Sequence, residues 1–175
     1  MNIPYDADAK LMADDVGLAY RRAGFGVTTR YYTYSFPHLT VATLGAVDRQ
    51  ELQIDSDSFF VWCGLAIQIF AQGKIGVESF TAGLGLKILD PQTGYNLAAS
   101  SAAGVEHLPH QAFTGSAEAP YLFAYPYILG PGSRLIASAK QQQGVDGQPI
   151  DADLSCIGFR LYTSPYTKVL IYPEH

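Results

Sequence analysis

The chain has 175 residues, of which 48% are hydrophobic and only 15% are charged. This length predicts a single domain that can bury its own core. The net charge of −5 and the scattered basic residues, with Arg21-Arg22 as the only doublet, argue against a nucleic-acid-binding protein, because phosphates require clustered Lys and Arg. A charged share well below the usual quarter indicates that part of the surface is covered by another molecule.

The N-terminal segment predicts an amphipathic helix rather than a targeting sequence. MNIPYDADAKLMADD lacks the basic region and apolar core of a signal peptide. Residues 6–24 have helical periodicity, with acidic residues at the start and a basic doublet before Gly24 at the end. The residues near the apolar face include Leu11, Met12, Val16 and Tyr20. We therefore expect an N-terminal arm over residues 1–30.

The stretch FFVWCGLAIQIF, residues 59–70, has Gln68 as its only polar side chain. It is too short to cross a membrane as a helix, and its aromatic and β-branched residues favour a strand. At a period of two, one face is wholly apolar: Phe59, Val61, Cys63, Leu65, Ile67 and Ile69. The second face is mostly apolar too. The strand is therefore predicted to be central, or covered by a loop, an arm or a partner.

The same alternation recurs along the rest of the chain. The predicted strands cover residues 39–45, 49–55, 59–70, 80–90, 120–130, 133–140, 153–162 and 166–173. Turn signals such as Asp90-Pro91-Gln92-Thr93-Gly94 and Gly130-Pro131-Gly132 separate them. This pattern predicts an all-β fold over residues 31–175: an antiparallel β-sandwich, with a jelly roll as the preferred topology. Residues 91–119 are expected to form a long loop that is functional or ordered by a neighbour.

No motif in the chain predicts catalysis. Cys63 and Cys156 each lie in an apolar run, which indicates buried free thiols and folding in a reducing compartment. A G-x-S-x-G motif is absent. We therefore do not expect an enzyme, although the paired acids of a glycoside hydrolase meet in space and their spacing in sequence does not exclude them.

Three short patterns were weighed as metal ligands. His107 and His110 could begin a metal site, but a proline lies between them and no third ligand has matching spacing. Asp55-Ser56-Asp57 and Asp151-Ala152-Asp153 could attract calcium, but they lack the glycine and distal glutamate of an EF-hand loop. Asp and Ser in this arrangement are more typical of tight turns. We predict no metal and no cofactor.

Aromatic residues are the most unusual feature. In PYLFAYPYILG, four of them are expected to share one face of an extended segment, and Pro120 and Pro126 place this segment at a sheet edge or in an extended loop. Tyrosine suits sugar stacking and protein interfaces alike, and plain core packing is the alternative for this stripe. Because edges need covering, we favour a protein neighbour. The residues predicted to contact a partner are Leu11, Met12, Val16, Tyr20, Tyr31, Tyr32, Tyr34, Tyr121, Phe123, Tyr125 and Tyr127.

The succession of FFVWCGLAIQIF, FTAGLGLKILDPQTGYNL, PYLFAYPYILGPGSRLIASAK and DLSCIGFRLY resembles small jelly-roll virion proteins of tailed bacteriophages, of the capsid decoration or cement type. The resemblance covers roughly residues 39–163 and lies in the rhythm of strands and in the D-P-x-T-G and P-G-S-x-L turns. It implies a dimeric or trimeric structural protein of the virion, assembled in the host cytoplasm, that binds the major capsid protein or other virion subunits. It implies no catalytic residue, no direct nucleic-acid contact and no membrane.

Three other functions stay open. The first is another virion role on the same sandwich, such as a head-to-tail connector or a tail component. The second is a carbohydrate-binding module that uses Tyr121, Tyr125 and Tyr127. The third, a sandwich-fold enzyme, would need a deep polar pocket.

Overall fold

The computed structural model describes residues 4–71, 83–96, 101–102, 107–109, 114–116, 119–143 and 149–165. One helix precedes eleven strands in the described chain: α1 (Pro4–Arg22), β1 (Phe25–Ser35), β2 (Leu39–Val41), β3 (Val47–Gln53), β4 (Phe59–Ala71), β5 (Gly83–Asp90), β6 (Tyr95–Asn96), β7 (Ser101–Ala102), β8 (Leu108–Pro109), β9 (Tyr121–Leu129), β10 (Arg134–Gln143) and β11 (Ile150–Pro165).

The strands form two antiparallel sheets. Sheet A has the order β1-β11-β4-β9, and β2 also pairs with β11. Sheet B has the order β3-β10-β5-β6-β7, and β8 also pairs with β5. The all-β antiparallel sandwich that the alternation predicts is confirmed.

The main core lies between the two sheets. On sheet B, alternate residues of β5 and β10 are fully buried, because a strand presents every second side chain to the same face. These residues are Leu84, Leu86, Ile88, Leu135, Ala137 and Ala139. On sheet A, the largest buried side chains of this core are Trp62 and Phe60. Each sheet therefore contributes one apolar face.

A second, smaller core lies on the outer face of sheet A, beneath α1. Ala9 and Ala13 are fully buried there against β4 and β11, and their small side chains let the helix approach the sheet closely. The sequence places the helix at residues 6–24, whereas it spans Pro4–Arg22. Strand β1 starts at Phe25, within the residues assigned to the arm, so the helix leads into the sandwich after a short turn.

Strand β4 is central, between β11 and β9, and it carries a β-bulge at Cys63. Trp62 pairs with Gly158 of β11 and Gly64 pairs with Ile157, so Cys63 has no opposite residue. A one-residue insertion shifts every following side chain to the other face. The single apolar face expected for β4 is therefore wrong: Phe59, Val61 and Cys63 pack beneath α1, whereas Leu65, Ile67 and Ile69 face the main core.

Other predicted elements fit with smaller differences. β1 is missing from the predicted strands, and the strand expected over residues 39–45 is reduced to Leu39–Val41. The predicted turns at residues 90–94 and 130–132 are present, with Gly94 and Gly132 at positive φ. Short strands β6, β7 and β8 interrupt the loop expected over residues 91–119. The strand predicted over residues 166–173 lies outside the described residues.

Among the residues that the structure describes, no helix combines the length and the apolar character that a membrane span requires.

Candidate interaction surfaces

Helix α1 has an inward face and an outward face. Met12, Val16 and Tyr20 lie on the inward face and pack against the small core over sheet A, where Tyr20 contacts the ring of Phe59 at 5.5 Å between centroids. Leu11 points away from the sandwich and is 62% exposed. Of the four helix residues predicted to contact a partner, three therefore have contacts within the chain, and Leu11 belongs to a separate surface.

Strand β9 forms one edge of sheet A and is strongly distorted in the middle. Tyr127 pairs with Trp62 and Leu122 pairs with Gly64, so β9 advances five residues while β4 advances two. The residues between these pairs bulge out of the ladder at Pro126, which has no N–H to donate. Tyr125 lies in this bulge and is 84% exposed.

The bulge divides the aromatic residues of β9 into two groups. Phe123 and Tyr127 contact the ring of Trp62, at 5.0 and 5.6 Å between centroids, and complete the main core at this edge. Tyr121 and Tyr125 remain exposed. The prediction that these four aromatic residues share one face is wrong, because the bulge interrupts the alternation on which it depends.

Strand β1 forms the other edge of sheet A. Tyr31 and Tyr32 are 50% and 37% exposed, although Tyr31 also packs edge-to-face on Phe159 at 5.6 Å. Tyr34 and Phe36 are buried in the main core. The Tyr34 hydroxyl donates to Asp55 Oδ2 at 2.8 Å, and burial raises the pKa of Tyr34 to about 12. Tyr34 is therefore a neutral core residue and not an interface residue in this chain.

Arg160 is the centre of a polar network beside β1. Its side chain contacts Asp55 at 3.1 Å, also binds Asp57, and donates from Nε to Ser58 at 3.0 Å. The guanidinium stacks on the rings of Tyr32 and Tyr162 at 4.9 and 5.3 Å. The network connects the turn between β3 and β4 to β11, and each of the three guanidinium nitrogens has a partner.

The carboxyl group of Asp57 responds to this arrangement. Desolvation works to raise its pKa, but the hydrogen bonds from Arg160 and Ser58 hold the pKa of Asp57 below its ordinary value. Ser56 and Asp57 form a turn, so the turn predicted at Asp55-Ser56-Asp57 is confirmed. Nothing in the spacing of these residues reveals Arg160, which lies more than a hundred positions away in the sequence.

A second polar network surrounds His38, in the link between β1 and β2. His38 Nδ1 lies 2.7 Å from Asp153 Oδ1, and Nε2 lies 3.5 Å from Asp151 Oδ1. The hydrogen bond to Asp153 raises the pKa of His38 above 6.5. Asp151 and Asp153 lie in β11 and not in the predicted turn. They share one face of that strand because they are two residues apart.

The neighbouring β2–β3 segment is tied to the same region. Thr40 Oγ1 donates to Asp151 at 2.8 Å, and the Thr40 N–H donates to Asp48 at 2.9 Å. Desolvation acts to raise the pKa of Asp48, but hydrogen bonds from the backbone N–H groups of Thr40 and Arg49 hold this pKa below its ordinary value. Two carboxylates, those of Asp151 and Asp153, therefore contact the imidazole of His38, and Asp48 is tied to the same region through Thr40.

The two predicted histidine ligands are not both described. His107 lies over sheet B, where its Nε2 is 2.9 Å from Ser138 Oγ and its carbonyl accepts a hydrogen bond from Gln142 at 2.7 Å. The absence of a side chain at Gly85 leaves space for the side chains of His107 and Gln142, since a Cβ at this position would lie 2.8 Å from His107 Cβ. His110 lies outside the described residues. In the described ranges, no group of three or more His, Cys, Asp or Glu residues could hold a metal ion.

Both cysteines are free and buried, as predicted. Cys63 lies beneath α1, where its Sγ donates to the carbonyl of Ala9 at 3.5 Å. Burial raises the pKa of Cys63 to about 12 and raises that of Cys156 as well. A nucleophilic cysteine must react as the ionised thiolate. Neither thiol is ionised at neutral pH.

Comparison with protein-family models finds no match to this chain. A search of curated proteins likewise finds no matching relative.

Proposed function

We propose that this chain is a structural virion protein, of the capsid decoration or reinforcement type, that binds neighbouring subunits through the two edge strands of sheet A, β1 and β9. The observation that carries the proposal is the exposure of aromatic side chains along β9 and β1, above all Tyr125 at 84% and Tyr31 at 50%. Aromatic residues are enriched in protein interfaces because they supply large contact areas at little conformational cost. The major capsid protein is the proposed partner.

The two edges suit different kinds of contact. β1 is a regular strand of eleven residues, and among the residues that the structure describes its only strand partner is β11, so backbone groups on its other side suit an extended segment of a neighbour. β9 is bulged and contains Pro126, so it is a poor template for an added strand. Tyr125 and Tyr121 therefore suit side-chain contacts with a neighbour.

The strand order supports the jelly-roll part of the proposal. A jelly roll can be described as an antiparallel ribbon of eight strands in which the first strand pairs with the last strand. When the ribbon rolls up, the third strand comes to lie beside the last strand and the fourth strand beside the seventh. If β1 with β2 counts as the first strand and β6 to β8 as the fifth, the observed pairings have this order. Jelly rolls are common in viral capsid proteins and also occur in lectins.

A non-enzymatic role fits the polar networks that the structure describes. Arg160 is occupied by two carboxylates and two rings, and His38 lies between two carboxylates. Both networks fasten strands and turns to one another. Rigid attachment of surface segments is what a subunit needs if it is to present fixed edges to its neighbours.

The first test is sedimentation of particles from the native source of the protein, followed by quantitative mass spectrometry of the fractions. Recovery with a major shell protein in a particle of megadalton size supports the proposal. Copy numbers in the hundreds support decoration, whereas about a dozen copies would indicate a connector. Recovery only as a small soluble oligomer would overturn the virion role.

A variant test addresses the edge itself. Tyr125→Ser is expected to lower the occupancy of the chain on particles without changing its thermal stability, because the side chain contacts little within the chain. Leu44→Ser is the matched control, since Leu44 is 62% exposed in the link between β2 and β3. Equal occupancy of both variants would contradict a role for the β9 edge.

Carbohydrate binding is the second candidate, and the exposure of Tyr121 and Tyr125 favours it. Flat, exposed tyrosine rings can stack on sugars. Tyr127 is less suited to this role because it packs on Trp62. This function predicts that soluble glycans change the fluorescence of the wild-type protein and that Tyr125→Ser abolishes the change. An assembly subunit predicts no response to glycans.

A further inference from the structure

The outward face of α1 carries a heptad-like seam whose leucines are not part of either core cluster of the described residues. Leu11 and Leu18 are seven residues apart and are 62% and 42% exposed. Asp8, Asp15 and Arg22 complete the seam, so that the spacing runs 3, 4, 3, 4. This is the spacing by which two helices pack along one stripe. The inward face of the same helix is occupied by the sandwich.

We propose that this seam binds the same seam of a second copy, with the two α1 helices antiparallel about a two-fold axis near Asp15. In this register Leu11 lies opposite Leu18 of the second copy, and the symmetry repeats the contact. Asp8 then lies one residue from the position directly opposite Arg22 of the second copy, which is within reach of the long arginine side chain, also twice. A parallel arrangement would instead place each charged residue beside the same residue of the second copy, so that like charges would face each other.

The charges of the helix favour the antiparallel arrangement. Asp8 lies near the N-terminal end of the helix, Asp15 lies just past its middle, and Arg21 and Arg22 form the last turn. Within the described chain, none of these four side chains takes part in an ion pair. Antiparallel helices also align their dipoles favourably. One unfavourable contact remains, because Asp15 lies close to Asp15 of the second copy across the axis.

This inference goes beyond the proposed function, because it concerns α1 and not the edges of sheet A, and it stands whether or not the chain belongs to a virion. Two leucines and one pair of charges per helix make a small interface, so a weak dimer is expected. Attachment to a particle would raise the effective concentration and strengthen the contact without any new interface.

The first experiment is sedimentation equilibrium of the purified wild-type chain over a wide concentration range. We expect a monomer–dimer equilibrium that the double variant Leu11→Ser with Leu18→Ser weakens at least about tenfold. Leu44→Ser, which exchanges an equally exposed leucine elsewhere, should leave the dimerisation constant unchanged. A wild-type chain that stays monomeric up to roughly 1 mM would overturn the proposal, as would a dimer that the double variant leaves intact.

Two conservative variants test the register. Asp8→Asn should weaken the dimer about threefold or more, because two pairs with Arg22 are lost. Asp15→Asn should strengthen it, because the repulsion across the axis is removed. A parallel pair predicts that both variants strengthen the dimer, and that result would overturn the antiparallel register. The reactivity of the Cys63 thiol beneath α1 checks that each variant keeps its helix docked.

Discussion

Gly158 lies where β11 passes the bulge of β4, and its missing side chain is what lets the two strands approach. A Cβ at this position would lie 2.1 Å from the carbonyl oxygen of Val61 and 3.0 Å from the ring of Phe60. Backbone is on one side and a fully buried ring is on the other, so neither neighbour can move aside cheaply. The residue is needed for its lack of volume and not for a special φ.

Gly158→Ala is therefore expected to lower the free energy of unfolding by about 3 kcal/mol, at the upper end of overpacking effects. Urea denaturation followed by fluorescence measures the change. Gly130→Ala is the control, because a Cβ there would meet only Ser133 Oγ at 3.7 Å, and its effect should stay within about 0.5 kcal/mol. Similar losses for both variants would contradict the close approach at the bulge.

His38 gives the chain a stability that depends on pH. Its pKa in the folded state is raised by Asp153, with Asp151 and Asp48 also nearby. A raised histidine pKa means that folding favours the charged ring. The stabilisation is thus fully present below the unfolded-state value of 6.5 and is lost as the pH rises through the folded-state pKa.

The comparison of wild type with His38→Gln tests this sign. The wild type should be the more stable of the two at about pH 5.5, and the difference should shrink by about pH 8.5. Thermal unfolding of both chains at the two pH values measures it. A difference that grows with pH would show that the neutral ring is the stabilising form.

Neither polar network could be predicted from the sequence, and the reason is the same for both. The sequence predicts turns at Asp55-Ser56-Asp57 and at Asp151-Ala152-Asp153. Their partners, Arg160 and His38, are more than a hundred positions away along the chain. Local spacing identifies turns, but it carries no information about which distant strand lies beside them.

At the scale of elements, periodicity predicts the presence of a strand or helix better than its faces. Residues 59–70 are correctly predicted as a strand, and of the alternatives for its second apolar face, both a central position and cover by the N-terminal helix are present. The bulge at Cys63 nevertheless exchanges its faces halfway along. Both faces are apolar, so an insertion leaves no break in the pattern for the sequence to reveal. Helix α1 shows the complementary case, since Leu11 was grouped with the inward residues although it lies on the outward seam.

The docking of α1 on sheet A makes a prediction about thiol reactivity. Ala13→Asp would place a carboxylate in the small apolar core and should detach the helix, because a buried, unpaired charge is costly. Cys63 lies beneath the helix, so its reaction with a thiol reagent should become faster. Cys156 lies in the main core and should stay protected in the same molecule.

Asp14→Asn, at an exposed neighbouring position, is the matched control and should leave both thiols unreactive. Equal acceleration of both thiols in Ala13→Asp would mean that the whole sandwich opens. In that case the helix would be part of one cooperative unit with the sandwich and not a separable cover.

At the scale of the whole molecule, the antiparallel sandwich could be predicted, whereas the order of its strands could not. Alternating residues and glycine-rich turns are local signals, and they indicate a sandwich. The order depends on which strands meet after folding, and β1 pairs with β11 although the whole domain lies between them in the sequence. β1 itself was missed because its exposed edge position leaves it rich in polar residues.

This topology also sets the expected rate of folding. Strands β1 and β11, and likewise β3 and β10, must find each other over long stretches of chain, and closing such long loops costs entropy before any contact is gained. Refolding is therefore expected to take milliseconds to seconds, and not microseconds as in small helical bundles. Trp62 is the only tryptophan and contacts Phe123 and Tyr127, so its fluorescence reports on the joining of β4 and β9.

Stopped-flow dilution from urea, followed by Trp62 fluorescence and by far-ultraviolet circular dichroism, measures this rate. If the sandwich forms in one cooperative step, both signals should change with the same time constant. The Gly158→Ala variant tests when the contact between β4 and β11, at the centre of sheet A, forms during folding. Slower folding in the variant would mean that this contact forms in the transition state, whereas faster unfolding alone would mean that it forms later.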